Sequence, residues 1–93
     1  NPNEALFFIS LARLARRSDT AEAERLYQQA LQLDPASEQF RLEFALFLKM
    51  AGRTSEALGQ VLIGLTYSPG FHDVYKGFRE LEKLKAELTT PGP

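Results

Sequence analysis

The chain has 93 residues, enough for one domain and no second core. Eleven lysines and arginines against twelve acidic residues leave a net charge of −1, so there is no broad positive field to hold a phosphate backbone, and nucleic acid is not a default partner. The absence of cysteine removes disulfides, zinc–thiolate sites and a thiol nucleophile together.

Prolines and glycines punctuate what remains, because one removes a backbone donor and the other adds backbone freedom. Pro2, Pro35 and Pro69 lie 33 and 34 residues apart. Each interval holds two stretches of helical periodicity, broken at Arg17-Ser18-Asp19-Thr20 and at Ala51-Gly52-Arg53-Thr54. The pattern predicts helices over Glu4 to Arg17, Ala21 to Leu33, Glu38 to Ala51, Ser55 to Tyr67 and Asp73 to Leu88, with no strand. Thr20, Ser37 and Thr54 stand where a hydroxyl can accept from the free amides of a first helical turn, and are the expected N-caps. The run Ala5-Leu6-Phe7-Phe8-Ile9 is apolar on every side, which predicts burial on more than one face. It and Val61 to Leu65 are the longest apolar runs, far too short to span a bilayer, so direct membrane insertion is not expected. In the last helix Val74, Phe78, Leu81, Leu84 and Leu88 form one apolar stripe, while Lys76, Arg79, Glu80, Glu82, Lys83 and Glu87 are polar.

Superimposing the intervals on their prolines pairs Ala23 with Ala57, Tyr27 with Val61, Ala30 with Gly64 and Leu31 with Leu65. Small residues recur where two helices of a hairpin approach closely, and larger apolar ones recur a turn away. With its 34-residue period and the stretch from Ala23 through Tyr27 and Ala30 to Pro35, the sequence resembles the tetratricopeptide repeat family. In the second interval Phe44-Ala45 takes that family's Leu-Gly place, Leu48 its Tyr place and Gly52 the hairpin turn. In the first, Ser10-Leu11 falls at the Leu-Gly place, so the small residue is missing and a differently packed hairpin is expected. The resemblance implies an all-α superhelix, or solenoid, of five helices: repeat one over 4–35, repeat two over 36–69, a capping helix over 70–88 and a tail over 89–93. Asn1-Pro2-Asn3 resembles the close of an earlier repeat, which predicts a preceding hairpin in a longer, bacterial-type array. The polar last helix reads as the cap that closes such a stack.

The resemblance also implies a role as a protein-interaction scaffold without catalysis or cofactor, taking a peptide or helical segment of a partner on the inner face of each first helix. That face comprises Phe8, Ala12 and Arg16 in repeat one and Leu42, Leu46, Lys49 and Met50 in repeat two, together with Ala5, Ile9, Gln39 and Glu43. Relatives that clamp a C-terminal carboxylate of heat-shock chaperones carry Lys and Asn on these positions. Phe8, Ala12 and Glu43 stand here instead, so an apolar segment is the expected partner.

Two alternatives come from other observations. Outward Gln28-Gln29 of the first interval become Leu62-Ile63 in the second, near Gly59, and with Phe7 and Ile9 of the first helix they are candidates for homodimerisation or intramolecular packing. RNA binding by a related helical repeat is the remoter alternative, disfavoured by the absence of a basic groove. Arg13, Arg16, Arg17 and Arg25 cluster at the first hairpin turn, where cations also complement a helix C-terminus. A solvated face is their ordinary role, and an acidic partner segment the functional one. The single histidine, His72, begins a helix beside Asp73 and has no second ligand or nucleophile at useful spacing.

Overall fold

A computed structural model describes residues 2–67 and 76–90, with the side chains of residues 2 and 76–78 left aside. The expectations for Pro69, His72, Asp73, Val74, the Phe78 side chain and the end of the tail therefore lie outside the described residues. Five helices run in order: α1 (Pro2–Ala15), α2 (Thr20–Leu33), α3 (Glu38–Met50), α4 (Thr54–Thr66) and α5 (Lys76–Thr89). The all-α architecture of two helical hairpins and a final helix is as the periodicity predicts. Contacts run α1 on α2, α3 on α4, α2 on α3, and α5 on α4 and α3. The resulting slab measures 34 × 30 × 16 Å.

The ends of the helices follow local chemistry. Ser37 caps α3 through a bond from the Phe40 amide at 3.2 Å. The other two expected caps are corrected. Helix α2 begins at Thr20 itself, and Asp19, one residue earlier, accepts from the Glu22 amide at 3.1 Å. A carboxylate at that place also meets the positive end of the helix dipole. Thr54 is likewise the first residue of α4, preceded by Arg53, whose side chain makes no cap bond. Gly52 has φ +80°. Its amide bonds to Lys49 O at 3.0 Å and that of Arg53 to Leu48 O at 2.9 Å, the paired bonds of a Schellman ending that favour glycine there.

The first hairpin corrects the register read from the prolines. Ala12 is wholly buried, as is Ala45 in the second hairpin. The small residue of the close approach is thus present, one place later than the proline alignment puts it. Ala23 follows Ala12 by 11 residues, whereas Ala57 follows Ala45 by 12. The connection between α1 and α2 is one residue shorter, and it closes on bonds to Ala12 O and Ala15 O with no residue at positive φ. Equivalent positions of α1 and α3 are therefore 33 apart, and Phe7, Leu11 and Leu14 match Phe40, Phe44 and Phe47.

The core is continuous through the stack. Tyr27 of α2 is fully buried and lies with its ring centroid 5.5 Å from Phe44 and 5.4 Å from Phe47, so aromatic rings join the hairpins. Arg53 fastens them at the surface, binding Glu24 of α2 at 2.6 and 2.9 Å while its Nε and Nη2 reach Glu56, each at 2.6 Å. Arg41 is buried on α3 and donates to Gln60 of α4 at 2.6 Å and to Pro35 O at 3.2 Å. Its stem and Leu81 of α5 crowd Gly64, where an added Cβ would lie 2.9 Å from Leu81 Cδ1 and 3.3 Å from Arg41 Cβ. Leu81 and Leu84 bury the inner side of α5, while Arg79, Glu80, Glu82 and Lys83 face solvent.

Candidate functional site

The α1–α2 turn and the second half of α3 enclose a cleft of about 420 Å³, lined by Arg16, Arg17, Thr20, Glu43, Leu46, Phe47, Met50 and Ala51. Burying the other side of α3 against α4 leaves Leu46 and Met50 facing outward, at 40% and 89% exposure. Phe47, buried against Tyr27, forms the apolar base. The opposite wall is cationic because α1 ends at Ala15 and the next two residues are arginines. The cleft thus sets exposed aliphatic surface beside two guanidinium groups.

Each part of the cationic cluster has its own setting. Arg13 is held on Glu43 by two bonds, Nε to Oε1 at 2.7 Å and Nη2 to Oε2 at 2.5 Å. This paired geometry fixes α1 against α3 and neutralises the one carboxylate at the cleft. Arg25 pairs with Glu22 and donates to Gln29 at 2.9 Å. Arg16 and Arg17 make no ion pair among the described residues and are the cations left facing the cleft. Behind them, the Tyr27 hydroxyl is buried without a hydrogen bond of ordinary geometry. Burial raises its pKa, and the nearby Arg16 guanidinium pulls against that rise.

Of the residues expected on the inner face, Arg16, Leu46 and Met50 come together in the cleft. Ala12 does not present a side chain at all, and neither does Ile9, because both are wholly buried between α1 and its neighbours. Phe8 and Leu42 are half-buried against the core. Lys49 turns away to Glu87 of α5, at 3.2 Å, so α5 covers that end of the face. Among the self-association candidates Phe7, Leu62 and Ile63 are exposed, whereas Ile9 is removed by burial. Arg17 was read in the sequence only as part of the cationic cluster at the first turn, and Thr20, Phe47 and Ala51 were missed as site residues. The turn residues and the flank of α3 join the site only through the packing of one hairpin on the next, and a face-by-face reading of single helices carries no signal of that.

Among the described residues no group of His, Asp and Glu could hold a metal ion, and no helix is long and apolar enough to cross a membrane. The sequence model of the tetratricopeptide repeat matches residues 14–70, which span the α1–α2 turn through α4. The chain belongs to the tetratricopeptide repeat family, a class of non-catalytic helical scaffolds for protein–protein interaction. A comparison with curated proteins finds no match.

Proposed function

We propose that the protein binds an extended or helical segment of a partner protein in the cleft between the α1–α2 turn and α3. The segment carries an aliphatic or aromatic anchor with a carboxylate close by. The observation that carries this reading is the juxtaposition of exposed Leu46 and Met50 with Arg16 and Arg17, which have no ion-pair partner among the described residues. An apolar anchor covering Leu46 and Met50 removes hydrocarbon from water at about 25 cal/mol per Å². Methionine adapts its shape to different anchors at little cost. The arginines supply orientation, since a planar guanidinium can take a carboxylate through two parallel bonds.

Selection of short peptides from a random library tests the reading. Enriched sequences should combine a bulky apolar residue with Asp or Glu. Leu46→Glu should weaken the selected peptides at least about tenfold, equivalent to about 1.4 kcal/mol, while helical circular dichroism is unchanged. Selection without acidic residues, or unaltered affinity in Leu46→Glu, contradicts it.

A further inference from the structure

Helix α3 carries Glu43, Leu46, Phe47 and Met50 at intervals of three and four residues, so all four share the side that lines the cleft. Glu43 thus stands one turn from the aliphatic anchors, where an acidic residue of a partner would come. Two like charges there repel. The same carboxylate is also close to the cations that a partner's acid needs. Beyond the rise that burial gives the Tyr27 hydroxyl, Arg16 lowers its pKa and Glu43 raises it, so guanidinium and carboxylate lie around one buried point. Arg13 holds them apart. Its Nε and Nη2 take one Glu43 oxygen each, at 2.7 and 2.5 Å, and Arg16 and Arg17 make no ion pair among the described residues. The Glu43 side chain is 17% exposed, so little water competes for that pair, and the planar fork fixes its geometry.

We propose that Arg13 sets the charge preference of the cleft: by occupying Glu43 it keeps Arg16 and Arg17 open to a partner's carboxylate. Without it, Glu43 turns to those arginines and takes the partner's place. The proposal rests on the cleft being the peptide site. Arg13 does not itself line the cleft, so it is a positioning residue that acts through Glu43. A partner's acid then meets two unpaired guanidinium groups and a neutralised carboxylate. With Glu43 released, it would meet a satisfied cation and a competing acceptor, and an uncharged segment would bind as well as an acidic one. One clip between α1 and α3 thereby decides which side chains the neighbouring site accepts, in addition to fixing the two helices.

The capped peptides acetyl-Leu-Phe-Glu-amide and acetyl-Leu-Phe-Gln-amide, titrated into the whole chain by NMR, measure the preference for acid over amide. Arg13→Gln, at an exposed site, should cut that preference at least about fivefold. Arg13→Gln together with Glu43→Gln should return it to within about twofold of the parent, because the competing carboxylate is gone. Circular dichroism confirms the fold of both variants. The side-chain Nε–H signals of Arg16 and Arg17 give a readout free of any peptide. Exchange with water at one of them should slow at least about threefold in Arg13→Gln and recover in the double variant. Unchanged exchange at both arginines in Arg13→Gln overturns the proposal. So does a double variant whose preference stays at the level of the single one, which is the result of a merely structural clip. A parent that takes both peptides alike contradicts the peptide site instead, and the arginine exchange then decides the role of Arg13 alone.

Discussion

Two glycines in α4 show how single residues serve opposite ends. Gly64 sits where α4, α5 and the Arg41 stem converge, and a Cβ there would press on Leu81, itself fully buried with little room to yield. Gly59 has open space around its missing Cβ. Gly64→Val should therefore lower stability by about 1–3 kcal/mol through overpacking, whereas Gly59→Ala should raise it by up to about 1 kcal/mol by removing the cost of a helical glycine. Urea unfolding of the two variants beside the parent checks both signs. Tyr27 offers a parallel contrast. Its ring holds two aromatic contacts between hairpins, yet its hydroxyl is buried without a proper hydrogen bond. Tyr27→Phe should leave stability unchanged or slightly higher, because an unsatisfied buried hydroxyl is lost with it. Tyr27→Ala should cost about 3–5 kcal/mol. A clear loss in Tyr27→Phe would mean that the contact with Arg16 contributes more than its geometry indicates.

At the scale of elements, polar clips set the hairpins against one another. Arg53 joins α2 to the start of α4 through Glu24 and Glu56, and it holds both carboxylates below the usual range. A carboxylate depressed in the folded state contributes stability that is present above its unfolded pKa of about 4.3 and is lost as pH falls through its folded value. Acid titration of unfolding free energy should thus decline below about pH 4.3, and Glu24→Gln should flatten that decline while lowering stability at neutral pH. An unchanged acid slope in Glu24→Gln would place the loss elsewhere. The single clip of Arg13 on Glu43 acts similarly on the cleft wall, fixing how far α1 stands from α3.

Element boundaries were legible because proline spacing, Gly52 and the helical periodicity agree on them. The register of α1 was not. Counting back from Pro35 assumes equal turns, and the first turn is one residue short, so Ser10-Leu11 stands where Ala12 belongs. A buried small residue one place on was the available sign. The same slip put Ala12 and Ile9 on a surface they do not reach. Thr20 and Thr54 misled for a related reason, since the residue before each begins the cap and only Asp19 of the two carries an acceptor.

For the molecule as a whole, the stack supplies two separate surfaces with different chemistry. One is the cleft, apolar on α3 and cationic on the turn, and it exists only where the first hairpin meets the second. The other is the open side of α1, where Phe7 and Leu14 lie away from that junction. Arg16, Leu46 and Met50 were legible in the sequence because they belong to the inward side of first helices. Arg17 was legible as a cation of the first turn, whereas Thr20, Phe47 and Ala51 were not, because hairpin packing alone brings them to the same place. The measurement that tests the central claim most directly is amide chemical-shift mapping as a selected acidic, apolar peptide is titrated into the labelled protein. Shifts should concentrate at Arg16, Arg17, Leu46, Met50 and Ala51. Shifts centred on α5, or on Leu62 and Ile63 of α4, would contradict it.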